Sequence, residues 1–501
     1  MADRSRLRRQ ISRILDESTA ATVSVIVQSM PGHLSRAIEM AALEVSGGRS
    51  LTSAEPMLPP VVGMRSGRSS AIGRGGRAAR AAAPDRVVIE RGPPIDVLAS
   101  SSAFSSNRSA RRGDALSRPR QLTVLGAAVV DLLRDDVAAL PDKLPPQVSV
   151  FPNRWISVPP RMRSVAPSHE VTRRSQFAWG LEKCGALSCW GAFGARGQGV
   201  KIAVLDTGVQ AKHPDLVGRV SHYVEFDKHG RSVASGVEAA RDPDGHGTHV
   251  CGTLVGQRAS GRWIGMAPDA TVHVAKVLGP TGGTDEQILR GLEWAIAERV
   301  DVVNMSLGGL SFDAGVMDTY TAAIAAARAA GIPVVAAIGN DGSQTSGSPG
   351  NDAFAFAVGA TDFNDRIAAF SGGRTQAVYE SDVIDRKHLP LIYSKPDLCA
   401  PGVDIYSCNG ARGWEYANGS SMAAPHVTGA MALLLSRHDP AGECEIHRLV
   451  GGDRVAALQQ LLIGSVKELG ENGQDHRYGW GRLDVSAAYT AAIDRGYRPP
   501  A

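Results

Sequence analysis

Asn418-Gly419-Ser420-Ser421-Met422-Ala423-Ala424-Pro425-His426-Val427 puts a serine at the head of a run that stays apolar as far as Ser436. A segment apolar nearly all round reads as a helix buried in a core. The first turn of a helix also leaves backbone N–H groups without intrahelical partners, and these favour any negative charge that develops there. Pro425 falls within the first turn or so, where a missing N–H costs least, so the helix survives it. Ser421 is thus in the setting of a nucleophile, although a serine at a helix start is also an ordinary cap.

Two upstream motifs supply what such a serine needs. Ala203-Val204-Leu205-Asp206-Thr207-Gly208 ends an apolar strand on an aspartate, and Asp244-Gly245-His246-Gly247-Thr248-His249-Val250 opens a helix on a histidine between glycines. Acyl transfer by serine requires a base for the hydroxyl proton, a carboxylate to orient that base, and donors for the oxyanion. Each motif alone has a commoner structural reading: a turn aspartate, a packed histidine, a loop asparagine at Asn340. Together, in chain order Asp, His, Ser, they support one another. His246 and His249 stand three apart with no glutamate following as in the zinc-peptidase pattern, so no metal is expected there.

From Gln198 onward short apolar strands alternate with helices: Val200–Leu205, Thr271–Val277, the helix Thr284–Ala297, Val300–Ser306, Met317–Ala330, Pro333–Ile338 and Phe354–Val358. That alternation predicts an α/β fold, an open parallel sheet with helices on both faces. With Ala337-Ile338-Gly339-Asn340 between histidine and serine, the set resembles the subtilisin-type serine peptidases, or subtilases, from about Trp179 to Tyr489. The resemblance implies a serine endopeptidase with Asp206, His246 and Ser421 as its triad. It implies further that the Asn340 amide and the Ser421 N–H hold the oxyanion. Ser306-Leu307-Gly308-Gly309 resembles the segment that pairs with an extended substrate backbone. Ala337, Gly339 and Gly347 are expected around an uncharged specificity pocket that prefers large apolar or aromatic residues before the scissile bond.

Several positions depart from the family pattern. Ser420 stands where threonine is usual, keeping the hydroxyl. Cys251 sits one position beyond the cysteine of thiol-containing subtilases and reads as a small buried apolar residue. Asp215 matches one ligand of the family's strong calcium site, but the loop Gln257–Trp263 lacks the asparagines that line it, so no cofactor is expected and calcium there is doubtful. Arg374–Lys395 and Glu443–Asp453 read as insertions.

The first third of the chain lies largely outside the resemblance. Thr22–Gln28 reads as a strand, His33–Val45 as a helix, Arg134–Leu140 as a helix and Val148–Phe151 as a strand. The pattern resembles a small α+β, ferredoxin-like propeptide domain over 1–160, interrupted at 46–121 by a flexible Arg/Gly/Ser/Ala-rich insertion. Residues 161–178 read as an exposed linker with a dibasic pair at Arg173-Arg174, where processing is expected, leading into a catalytic domain over 179–495. The expected partners are polypeptide substrates and the chain's own N-terminal domain as an intramolecular inhibitor, in a monomer. The Arg-Gly-Gly-Arg tracts also fit an RNA-associated segment, but Phe104 is the only aromatic residue between Ser46 and Gln121, and stacking groups are what such a segment needs. A catalytically silent scaffold is a third reading, opposed by the intact motifs.

Composition bounds the rest. In 501 residues, 43% hydrophobic and 21% charged content is ordinary for a chain with a sizeable core. No apolar run approaches the ~18 residues of a membrane helix. A net charge of +4 implies no particular partner. Six cysteines, with no secretory-type apolar segment after the charged N-terminus, point to reduced thiols and a cytoplasmic protein, with Cys184/Cys189 and Cys399/Cys408 the pairs close enough to question.

Overall fold

The computed structural model describes residues 4–28, 119–144, 148–157, 162–172, 175–311, 318–381, 383–437 and 445–498. The helix expected at His33–Val45 and most of the 46–121 insertion lie outside the described residues.

The N-terminal region opens on a helix that the sequence reading did not single out, α1 (Ser5–Glu17). It is followed by β1 (Thr22–Gln28), β2 (Arg120–Leu122), β3 (Ala127–Leu133), helix α2 (Arg134–Lys143) and β4 (Ser149–Pro152). The strands form an antiparallel sheet in the order β2-β3-β1-β4. Alternation along β1 sorts its side chains: Val25 and Val27 pack with Leu7, Ile11 and Ile14 of α1, whereas Ile26 joins Leu122 and Phe151 in the core beneath the sheet. Both faces are therefore covered, one by its own helices and one by the body of the molecule.

The chain then pairs with that body twice. β5 (Trp155–Ser157) runs antiparallel to β11 (Gly282–Thr284), and β6 (Met162–Arg163) runs antiparallel to β21 (Gly413–Asn418). The stretch expected as an exposed linker thus holds a strand and the short helix His169–Thr172. Its ties are long-range: Ser164 N donates to Tyr416 O at 2.9 Å and Ser168 N to Asp404 Oδ2 at 3.2 Å. Local polarity cannot reveal such partners.

The body is built on eight strands: β7 (Lys201–Asp206), β8 (Val220–Phe226), β9 (Ser232–Ser235), β10 (Thr271–Lys276), β12 (Val302–Met305), β14 (Val334–Ala337), β16 (Phe356–Thr361) and β19 (Leu398–Pro401). Their order is β19-β16-β14-β12-β7-β10-β8-β9, parallel throughout except for β9 at one edge. The chain moves one way from β7 and then returns past it to β12. This reversal opens a crevice at the carboxyl ends of those two strands, where open α/β sheets place their chemistry. Helix α3 (His246–Val255) and helix α6 (Ser420–Leu434) pack together on one side, with α6 lying over β12, β14 and β16. Between them in sequence come α4 (Asp285–Ala297) and α5 (Asp318–Ala329), which pack against each other. Short pairs complete the fold: β13 (Gly309–Ser311) with β15 (Ser346–Ser348), β17 (Arg374–Val378) with β18 (Leu391–Lys395), and β20 (Ile405–Asn409) with β21. The insertion expected at 374–395 is the β17–β18 ribbon. Among the described residues no helix is long and apolar enough to cross a membrane.

The N-terminal sheet is docked on α4. Arg120 bridges Asp131 of its own sheet and the fully buried Glu286 of α4, each at 2.7 Å. Val124 N donates to Glu293 Oε1 at 2.7 Å, and Arg154 donates to Asp285 Oδ2 at 3.0 Å through both its backbone N and its Nε. Removing the guanidinium leaves the Glu286 carboxylate buried without its charge partner. Arg120→Ala is expected to destabilise the docked arrangement by about 3 kcal/mol, read as a fall in denaturation midpoint. Arg120→Lys should recover only part of this, because an ammonium cannot present paired donors to two carboxylates.

Candidate functional site

Asp206 closes β7 and His246 opens α3, and the structure joins them: His246 Nδ1 lies 2.8 Å from Asp206 Oδ1. A carboxylate only accepts, so Nδ1 carries the proton and Nε2 is left with its lone pair. Asp206 Oδ1 also accepts from Thr207 N at 2.7 Å. Both side chains are buried. Burial opposes the imidazolium, but the charge and hydrogen bond of Asp206, with Asp244 and Asp242 behind it, outweigh that and hold the His246 pKa above its ordinary value.

Asp242 places this pair, and the sequence reading missed it. Its carboxylate accepts from Gly245 N, Thr248 N and Thr248 Oγ1, capping the start of α3, and from Thr207 Oγ1 at the end of β7. Thr207 Oγ1 in turn accepts from Gly247 N at 3.0 Å. The available signal was an aspartate a few residues before a helix that begins Gly-His-Gly, a capping pattern. Gly247 is obligatory in this arrangement, since a Cβ there would come within 2.2 Å of Gly208 O.

Ser421 sits in the first turn of α6, which begins one residue earlier than expected, at Ser420. Its Oγ donates to Ser306 O at 3.2 Å, while Ser306 Oγ donates to Ser421 O at 2.9 Å. Ser306 is fully buried, so the structure gives it the task of fastening α6 to the end of β12. In this state the Ser421 hydroxyl points to Ser306 and not to His246 Nε2, although their helices pack together. Catalytic hydrogen bonds of this kind often tighten only when substrate is bound.

Asn340 Oδ1 accepts from Ser420 N at 2.8 Å and lies 2.9 Å from Ser420 Oγ. An N–H donor there requires the carbonyl end of the amide, which turns Nδ2 the other way. A Cβ built on Gly419, whose φ is 154°, would lie 3.5 Å from both Asn340 Nδ2 and Ser421 N. Asn340 Nδ2 and Ser421 N thus both border the position a Gly419 side chain would take, as does Met422 Sδ at 3.4 Å.

The remaining expected residues lie along the crevice. Gly309 and Leu310 pair with Ser348 and Gly347 of β15. Gly339 and Gly347 adjoin, Gly347 N donating to Ile338 O at 2.6 Å beside the buried Ala337. β11, which was not anticipated, receives an extended strand, β5; its Gly-Gly-Thr sequence carries no periodic signal. Ile156 of that strand projects between β11 and Gly309, where a Cβ on Gly309 would lie 3.3 Å from Ile156 Cδ1.

His249 turns away from the site, with Nε2 3.1 Å from Ile405 O. Asp215, the residue that matches one ligand of the family's calcium site, accepts from Ala259 N at 2.6 Å through Oδ1 and from Trp414 Nε1 at 2.6 Å through Oδ2. A calcium ion takes six to eight oxygen ligands, and the loop 257–263 contributes no asparagine to that set. Cys184, Cys189, Cys251, Cys399 and Cys408 are buried and unbridged, and burial pushes their thiols up, Cys184 and Cys189 to about 12.

A strand-borne aspartate held on a helix-borne histidine, with a serine on an adjoining helix N-terminus, defines a serine hydrolase type of site. Residues 197–481 match the model of the subtilase family. The chain is 34% identical to subtilisin DY of Bacillus licheniformis over 304 residues, 59% of this chain and 93% of that protein. It is 36% identical to an alkaline protease of Alkalihalobacillus alcalophilus over 62% of this chain and 73% of that protein. With subtilisin NAT of Bacillus subtilis subsp. natto it shares 33% identity over 64% and 73%. The chain belongs to the subtilase family and is a serine endopeptidase.

The raised His246 pKa is open to direct measurement. In Ser421→Ala protein, NMR titration is expected to show the His246 ring keeping its proton above the ordinary ~6.5. Asp206→Asn should bring that value down, since the largest favourable charge is then gone. An unchanged midpoint would remove Asp206 as its cause.

Proposed function

We propose that Ser421 is the nucleophile, His246 the general base and acid, and Asp206 the residue that fixes the imidazole tautomer. The observation that carries this is the 2.8 Å Asp206–His246 bond, facing a helix whose first turn bears Ser421. Ser421 Oγ attacks the substrate carbonyl carbon as its proton passes to His246 Nε2. The oxyanion lies between Asn340 Nδ2 and Ser421 N, in the space Gly419 leaves open. Collapse returns the proton to the leaving amine and leaves an acyl-serine, which water hydrolyses by the same steps reversed. Ala337, Gly339 and Gly347, which bound the specificity pocket in this reading, are small and uncharged, which favours large apolar residues before the scissile bond within a broad specificity.

The same reading gives the N-terminal region the role of intramolecular inhibitor. β5 lies along β11 on one side of the crevice, and β6 lies along β21, the strand that ends three residues before Ser421. Arg163 Nε meets Glu415 Oε2 at 2.6 Å beside that second pairing. A chain held as an added strand at both ends of the crevice uses the mode by which an extended substrate would bind.

Asn340→Leu is expected to lower kcat by about 10²–10³, a size known from removing this donor in a subtilisin, with KM little changed. A change confined to KM would deny Asn340 its oxyanion role. Intact mass followed over time should show the wild type, but not Ser421→Ala, losing residues preceding about Gln176. If neither protein changes, removal of the inhibitor by self-cleavage is wrong. Profiling with peptide libraries should favour Phe, Tyr, Leu or Met before the cut, and a preference for Arg or Lys would contradict the pocket reading.

A further inference from the structure

On the flank of the sheet away from the proposed triad, β8 and β10 place two histidines side by side, His222 in register with His273. Their rings stack at 4.3 Å between centroids. Glu298, immediately after α4, brings Oε2 to 3.6 Å from His273 Nδ1. The ligand atoms that the three side chains offer all lie within 4.8 Å of one another. His273 is 2% exposed, and its Nδ1 has no hydrogen-bond partner among the described residues, an arrangement that is costly to leave unsatisfied.

We propose that His222, His273 and Glu298 bind a divalent transition metal ion of the zinc class, with water completing a fourth position. Two imidazoles and a carboxylate suit zinc, whereas calcium and magnesium take oxygen sets. Ligands at ~2.0–2.1 Å from a tetrahedral ion stand ~3.3 Å apart, so the His273–Glu298 pair is nearly placed. The remaining adjustment falls on the exposed His222 ring and on Glu298, whose side chain is 31% exposed. Burial, then the His222 and Lys201 charges, push the His273 pKa down to about 4, so its ring is in the neutral, ligating form at neutral pH. Lys201 opposes a cation here, and Asp301, which accepts from Lys201 N at 2.9 Å, favours one.

The site is structural. His273 lies three residues before Lys276, which is in register with Asp206, so about 10 Å of strand separates it from the level of the triad. A bound ion would pin the C-terminal end of α4 to the sheet, while the other end of α4 carries the N-terminal region. The other cluster of metal-type side chains, His213, Asp215 and Cys408, is a poor rival. Besides the two occupied Asp215 oxygens, His213 Nε2 is 2.8 Å from Gly413 O and Nδ1 accepts from Asp215 N.

The test uses untagged full-length protein carrying Ser421→Ala to prevent self-digestion, stripped of metal with chelator. Calorimetric titration with zinc chloride should show one ion per chain, and zinc should raise the thermal midpoint. His222→Ala and Glu298→Gln, which alter groups at the surface, should each weaken binding about tenfold or more. Cobalt should give visible tetrahedral bands with no thiolate charge-transfer band. Absence of binding, or binding untouched by both substitutions, overturns the proposal. A thiolate band lost in Cys408→Ser would overturn it too, moving the ion to the His213 cluster.

Discussion

The carboxylate of Asp242 is the constraint on which the geometry of the site depends. It gathers two N–H donors from the start of α3 and two hydroxyl donors, one from α3 and one from the residue after Asp206. A buried carboxylate is costly unless every lone pair is used, and charge-assisted bonds of this kind are the strong ones. The helix N-terminus adds a favourable field for the same charge. Strand end and helix start are thereby fixed to each other, and the Asp206–His246 distance follows from that attachment. Without it, the bond from Gly247 N to Thr207 Oγ1 and that from Gln210 N to Thr248 Oγ1 would be the polar ties left between strand end and helix start beside the Asp206–His246 pair itself.

Ser421 is positioned by a different means. Helix α6 is buried along its whole length, so its depth is set by packing, and the small residues along it let it lie close to its neighbours. Gly429 shows how close: a Cβ there would stand 2.4 Å from Met266 Cβ. Its rotation and register are set by polar bonds at the sheet end, where Thr428 Oγ1 donates to Asn304 Oδ1 and Asn304 Nδ2 to Ser306 Oγ. The two serines Ser306 and Ser421 then close the chain of contacts. Packing alone would leave the helix free to slide by part of a turn, and the polar series removes that freedom.

The parts legible in the sequence are those with local cause. Apolar runs bounded by glycine locate the parallel strands, and the strand-end aspartate and helix-start histidine and serine are read from a few neighbouring residues. Helix α1 was legible in principle, since Leu7, Ile11 and Ile14 repeat at helical spacing among arginines, yet its charge drew the reading elsewhere. β6 and β11 were not legible. Each is two or three residues long, and their partners lie more than a hundred residues away, so nothing local distinguishes them from loop. Ser306 is legible as part of the segment that resembles a substrate-pairing strand, but its hydroxyl bond to Ser421 O is not, because a sequence does not show which way a buried hydroxyl points.

The loop from Gln257 to Trp263 is held by hydrogen bonds to parts of the chain distant in sequence. Asp215 receives Gln257 N on its backbone oxygen and Ala259 N on its carboxylate, while Trp414 supplies a third N–H. Arg262 then spans from Tyr416 Oη to Thr172 O, and Trp263 exchanges backbone bonds with Gln176 and Ala178. The loop is therefore ordered by neutral and charge-assisted donors drawn from β21 and from the segment that leads into the body. Such an arrangement couples the loop to that segment. Any change that released residues near Gln176 would withdraw two of its backbone bonds, so the entry segment contributes to the stability of the body as well as to its connection with the N-terminal region.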